Sequence, residues 1–276
     1  MTVTSENALS GPLERLGRAR PARELVVAAF FGPLAGLVVR ALLAVRVPPP
    51  AVVLANMAAG LTAAVALAQG ELVFAALLLQ LKTLLDNADG ELARASGRVT
   101  LLGRYLDTEA DLVVNAALFV ALGFAAGAPW LALAAFCAVT FVLSVDFNVG
   151  ELYREVPAEF PAPSGSALER ALERVYGIVF APQDRAVRAL SARRLQGILR
   201  DVEDAERSGA ATLAYHDWLT VAVLTNLGLS TQLAALGVCL AIGFPSVYLW
   251  LPLGCAALPL FLQLHRERLA RRALSR

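Results

Sequence analysis

Long apolar runs, broken at intervals by short arginine-bearing stretches, decide most of what this chain can become. Apolar residues fill 58% of the 276 positions, and the mean hydropathy is +0.62, far outside the range of water-soluble domains. In hydrocarbon every backbone N–H and C=O has to be satisfied within the segment itself, so such runs fold as helices. The predicted class is all-α: a polytopic membrane protein. Six transmembrane helices are predicted, near 51–69, 71–88, 102–123, 129–149, 212–242 (embedded over part of its length) and 245–264.

Charge orients these spans. The connections near 66–72, 122–131 and 240–248 contain no Lys or Arg, whereas the N-terminal arm, 94–104, 154–207 and the tail His265–Arg276 are rich in Arg. Six spans put every Arg-rich segment on one side, the cytoplasmic side by the positive-inside rule. Residues 25–39 form a further apolar run, but it is short for a span, is interrupted by Gly32 and Pro33, and is closed by Arg40. It is predicted to lie in the plane of the interface; as a span it would carry the N-terminal arginines to the wrong side. The expected division is a cytoplasmic arm (1–24), an interfacial helix (25–47), a six-helix transmembrane domain (48–149 and 208–265), a cytoplasmic helical insert (150–207) and a basic tail (266–276).

The insert opens on Pro157, Pro161, Pro163 and Gly165, and two amphipathic patterns follow over 166–178 and 183–206. They read as a solvated or interfacial hairpin. Alternatively Arg170, Arg174, Arg185, Arg188, Arg193 and Arg194 meet anionic lipid heads. Cys137, Cys239 and Cys255 stand singly in apolar runs without metal-type spacing and read as small core residues. The polar first 24 residues lack the apolar core of a cleavable signal peptide. A net charge of +1 gives no ground for a nucleic-acid partner.

Against this apolar background the stretch Asp86–Asp111 stands out. Asp86 and Asp89 are three apart, and Asp107 and Asp111 four apart, so each pair leaves one face of its helix. Gly103, Asp107 and Asp111 make one stripe. If the second and third spans are antiparallel neighbours, the two acidic pairs face each other at the cytoplasmic ends. Bare, four carboxylates would repel strongly, and acidic groups at membrane depth are costly unless compensated. One or two Mg²⁺ or Mn²⁺ ions, hard cations that favour carboxylate and phosphate oxygen, resolve the conflict. Such a centre suits phosphoryl transfer. Lys82, one turn before Asp86, pairs with it or holds an anionic acceptor; both readings stay open.

Asp86, Asp89, Gly90, Ala93, Arg94, Gly103, Asp107 and Asp111 together spell DxxDGxxAR, eight residues, GxxxDxxxD. This pattern resembles the signature of the CDP-alcohol phosphotransferase family, and an in-plane helix followed by six spans resembles its frame. The resemblance does not obviously extend over the 150–210 insert. It implies an enzyme in which Asp86, Asp89, Asp107 and Asp111 ligate a two-metal centre of Mg²⁺ or Mn²⁺, and Asp111 also acts as the catalytic base. Gly90 and Ala93 would leave room for the cytidine nucleotide, and Arg94 and Thr100 would contact the CDP moiety. The implied reaction moves a phosphatidyl or related group from a CDP-alcohol, CDP-diacylglycerol first among them, to a hydroxyl acceptor, with release of CMP. The implied partners are a polyol, polyol phosphate or amino alcohol as acceptor, membrane lipids, and a second copy in a homodimer. The implied location is the inner membrane of a bacterium, with the site at its cytoplasmic face.

One departure concerns the start of the first span. The family often has Pro-Asn…Thr there, and the matching stretch Pro49-Pro50-Ala51-Val52-Val53 lacks both polar side chains. Lys82, Arg98, Arg104 and Arg154 lean towards a phosphorylated acceptor. Asp146, Asn148, Thr225, Asn226, Thr231 and Gln232 are expected to hydrogen-bond between helices, some of them lining the acceptor pocket. His216 and His265 are expected to be solvated. An intramembrane prenyltransferase would need a second aspartate cluster beyond Asp111, and none is found. A transporter would need its carboxylates near mid-membrane.

Overall fold

The computed structural model describes residues 23–154 and 163–275. The predicted arm up to residue 22, and Pro157 and Pro161, lie outside them. Among the described residues the regular elements are all helical. A π-turn, Val27–Phe31, runs into α1 (Gly32–Ala44); α2 (Pro49–Ala68), α3 (Leu72–Ala95), α4 (Leu101–Ala125) and α5 (Pro129–Arg154) follow. The insert forms α6 (Ala167–Val179) and α7 (Ala181–Leu199). The rest comprises α8 (Ala205–Tyr215), α9 (Trp218–Thr225), α10 (Leu229–Ala241), α11 (Pro245–Tyr248), α12 (Trp250–Cys255) and α13 (Leu258–Leu274).

Six described segments are long and apolar enough to cross a membrane: Val27–Ala44, Pro49–Ala68, Leu101–Ala125, Pro129–Arg154, Ala205–Ala241 and Pro245–Leu274. The count agrees with expectation; the membership does not. Val27–Ala44 is included and α3 is not, because the C-terminal half of α3 carries Lys82, Asp86, Asp89, Glu91 and Arg94. Those charges turn inwards at Lys82 and Asp89, which are buried, while Val73, Phe74, Leu77 and Leu81 face outwards. Packed along α2 and α10, α3 is an integral part of the bundle despite its charge.

The segment leading into α1 is tied to the bundle at both ends. Leu25 N–H donates to Asn226 Oδ1 at 2.8 Å, and Glu24 Oε2 accepts from Thr231 N and Oγ1, each at 2.8 Å. Glu24 is therefore anchored, not part of a loose arm. Further on, Ala35 and Val39 pack against Ala88 and Leu92. Asn87, next to Ala88 on α3, donates to Ser230 Oγ at 3.4 Å, beside the Thr231 that holds Glu24.

Two predicted spans are interrupted. The run 212–242 breaks at Asp217, whose carboxylate caps α9 by accepting from Thr220 N at 2.9 Å and Thr220 Oγ1 at 2.7 Å. The run 245–264 breaks before Pro259, which cannot supply the N–H a continuous helix needs and sits in the first turn of α13. Cys255 is buried, but Cys137 is exposed on the apolar surface and is not a core residue.

Sequence neighbours are not always spatial neighbours here. The structure packs α2 on both α3 and α4, so α2 stands between the two acidic helices. Ala63, Leu67, Leu79, Val114, Leu118 and Leu236 form the centre of the shared core. Gly60 permits the close approach of α2 to α4: a methyl there would lie 2.9 Å from Val114 Cγ2 and nearer still to Cγ1. The insert is not simply solvated either. Helix α6 packs on α4, and α7 on α5, with Val187 joining Val145, Val149 and Leu224. A capping box starts α6, with Ser166 Oγ accepting from Glu169 N at 3.1 Å and Glu169 Oε1 from Gly165 N at 3.1 Å.

Candidate active site

Asp86 and Asp89 sit on successive turns at the end of α3, and Asp107 in the second turn of α4. One oxygen from each of these three lies within 4.8 Å of the others. With α2 holding α3 and α4 apart, the carboxylates meet across a cleft between the helices, not in a packed seam. Asp89 Oδ2 and Asp107 Oδ1 are buried, and neither has a hydrogen-bond partner among the described residues. Orphaned carboxylate oxygens in such a place are expensive. They are the chemistry a hard divalent cation would satisfy, so the donor set fits Mg²⁺ or Mn²⁺.

Asp111 is held differently. The fully buried Lys82 ammonium lies 2.5 Å from Asp111 Oδ1 and 3.0 Å from Asp86 Oδ1. Ion pairing is thus the role the structure gives Lys82, and it spans both acidic helices, beyond the single pair expected with Asp86. Four carboxylates against one ammonium leave three formal negative charges in the cluster.

Asn56 was not singled out by the sequence. It is 1% exposed, and its Nδ2 donates to Asp86 Oδ1 at 2.8 Å. The polar side chain found wanting at Pro49–Val53 is supplied one turn further along α2. An Asn in an otherwise apolar first span was the available signal.

The expected nucleotide residues lie along the same end. Gly90 faces Arg94, whose guanidinium would sit 3.4 Å from a methyl placed there. Arg94 is exposed. Ala93 is half-buried, and Thr100, exposed in the connection, caps α4 by accepting from Gly103 N at 3.0 Å. Of the cations thought to favour a phosphorylated acceptor, Lys82 is locked between carboxylates. Arg154 pairs with Glu151 at 3.3 Å, and Arg104 stacks over the Phe147 ring at 5.6 Å.

The polar groups of the later helices do bond between elements. Thr225 Oγ1 donates to Asp146 Oδ1 at 3.2 Å, and Asn148 Nδ2 to Asp184 Oδ1 at 2.7 Å. The histidines have partners too: His265 Nε2 lies 3.7 Å from Asp217, and His216 Nδ1 3.4 Å from Arg266 Nη2.

Residues 46–181 match the family model described as CDP-alcohol phosphatidyltransferase. No curated protein and no solved structure matches the chain. The matched stretch runs from α2 through α6, so it takes in the first insert helix as well as the whole acidic cluster. The orphaned oxygens and all eight motif positions fall inside it, so over this stretch the chain is similar to the CDP-alcohol phosphatidyltransferase family.

Proposed function

We propose that this integral-membrane transferase moves a phosphatidyl group from CDP-diacylglycerol to a hydroxyl acceptor at the cytoplasmic face of a bacterial inner membrane. The observation that carries the reading is the three-carboxylate group with its two orphaned oxygens, inside the matched stretch. Asp86, Asp89 and Asp107 would hold Mg²⁺ or Mn²⁺, with Asp111 completing the second ion's shell. When bound, the ions withdraw charge from a diphosphate and fix its oxygens.

The remaining work falls to the chain itself. Asp86 is oriented from two sides, by Asn56 and Lys82. Asp111, kept facing the cleft by Lys82, takes the proton of the acceptor hydroxyl. That oxygen bonds to the lipid-side phosphorus, the P–O–P bridge breaks, and CMP leaves with the electron pair. Arg94 and Thr100 flank the nucleotide, and the close turn at Gly90 and Ala93 leaves it room. Helix α1 with its preceding turn lies in the membrane plane, held to the bundle at Glu24 and along Ala35 and Val39.

CMP release from CDP-diacylglycerol in detergent tests this reading. Mg²⁺ or Mn²⁺ should be required, and Asp89→Asn should abolish release. Metal-driven transport with no CMP formed would overturn it.

A further inference from the structure

A cavity of about 210 Å³ opens beside the cluster, walled by α4, α5, the end of α6, the first turn of α7 and the start of α10. Asp107 and Asp111 form part of one wall. Four residues beyond Asp111 on the same stripe, about 6 Å deeper along the helix, Asn115 also faces this cavity. Asn115 is 7% exposed, and its side chain has no hydrogen-bond partner among the described residues. An amide facing a cavity beside a reactive carboxylate, with no protein group bonded to it, is placed to bond a ligand there.

The rest of the lining limits what that something is. Leu112, Phe136, Leu143 and Leu229 make the inner walls apolar. Of the other uncharged polar side chains in the lining, all but Thr108 are already committed. Thr140 Oγ1 donates to Phe136 O at 2.9 Å, Ser144 Oγ to Asp184 Oδ1 at 3.1 Å, and Tyr176 Oη to Asp184 Oδ2 at 2.6 Å. Asp184 thereby pins the insert to α5 at one wall of the cavity. A phosphorylated acceptor would meet the carboxylates of Asp107, Asp111 and Asp184 and a single lining cation, Arg104. Lys82 cannot turn to help it without abandoning Asp86 and Asp111.

Resting on the transferase reading above, we propose that this cavity is the acceptor subsite. Its occupant is an alcohol whose hydroxyl is carried on an uncharged, apolar body, with Asn115 holding that hydroxyl towards Asp111. The size suits the alcohol end of a larger apolar molecule, with the remainder left outside the cavity. In the step itself the alcohol oxygen bonds to the donor's distal phosphorus. Its proton passes to Asp111, and the bridge oxygen leaves with CMP.

The test is a panel of acceptors assayed by CMP release with the full chain in detergent and Mn²⁺. Dioctanoylglycerol and 1-octanol stand against glycerol 3-phosphate, inositol 1-phosphate and serine. CDP-diacylglycerol and CDP-ethanolamine serve as alternative donors. The apolar-bodied alcohols are expected to give kcat/KM at least tenfold higher than the charged ones. Asn115→Ala should raise the KM for the alcohol about tenfold, the loss of one neutral hydrogen bond, with the KM for the donor unchanged. Asn115→Ser should recover part of it.

CMP formed best with a phosphorylated or amino-acid acceptor overturns the acceptor class alone and leaves the transferase standing. Equal effects of Asn115→Ala on both substrates remove the role of Asn115. No CMP with any donor and acceptor overturns both readings.

Discussion

The ammonium of Lys82 lies 2.5 Å from the carboxylate of Asp111, on a different helix and 29 positions away in sequence. This one bond joins the two acidic helices, while the same ammonium also bonds Asp86 on its own helix at 3.0 Å. Two consequences follow for Lys82→Met. Without metal, four carboxylates are left uncompensated, and the variant should lose roughly 3 kcal/mol of stability, the lower end for removing one partner of a buried ion pair. Mn²⁺ should restore much of that loss. Thermal melts in EDTA and in Mn²⁺ measure both; equal destabilisation in the two buffers would contradict the arrangement.

Asn56 combines a bond to Asp86 with an orphaned oxygen of its own, Asn56 Oδ1. Truncation to Ala removes both, so stability should change by no more than about 1 kcal/mol. Asp86 then loses its orienting donor, and Mn²⁺ affinity should fall about 10- to 100-fold, as for other groups that position a ligand. Calorimetric titration with Mn²⁺ separates this from a purely structural role, in which affinity would be unchanged.

Asp89 and Asp107 each contribute an unpartnered buried oxygen. Replacing either by Asn should abolish the stabilisation of the folded chain by Mn²⁺, which for a single site at a hundredfold excess over Kd is worth about 2.7 kcal/mol. The readout is the shift in Tm on adding metal, and it needs no substrate. A full shift in both variants would place the ions elsewhere.

Glu24 sits against the start of α10, where burial pushes its carboxyl above the ordinary value of 4.5, against the lowering effect of the Thr231 hydrogen bonds. The folded chain therefore keeps this proton to higher pH than the unfolded chain does. Its contribution to stability is complete below the ordinary value and declines as pH rises through the folded one. Glu24→Gln has no proton to lose. The Tm of the unsubstituted chain should fall relative to that of the variant as pH is raised from about 4 to about 7, and parallel curves would count against the burial.

Gly60 has no room for a side chain against Val114. Gly60→Ala should cost about 1–3 kcal/mol, the usual range for overpacking, by forcing α2 away from α4. Adding Val114→Ala should return most of it, and a double-mutant cycle followed by thermal melts reads the coupling directly.

The sequence by itself determined the helical membrane class, the acidic pairs and their stripes, because these follow from spacing along a single helix and from the cost of polar backbone in hydrocarbon. Asp86 and Asp89 share a face whatever surrounds them, and so do Asp107 and Asp111. The spatial order of helices is another matter. Nothing local says that α2 stands between α3 and α4, that Asn56 thereby reaches Asp86, or that Lys82 crosses to Asp111 as well as to its own turn. The insert looked like a solvated hairpin because an Asp or Tyr in an amphipathic helix is ordinarily at home in water. Only packing shows Asp184 of the insert accepting hydrogen bonds from Ser144 and Asn148 of α5 as well as from Tyr176. Tertiary structure decided these points because side-chain partners from distant segments are selected by shape and by charge left unmet elsewhere, and neither quantity is written in any one stretch of the chain.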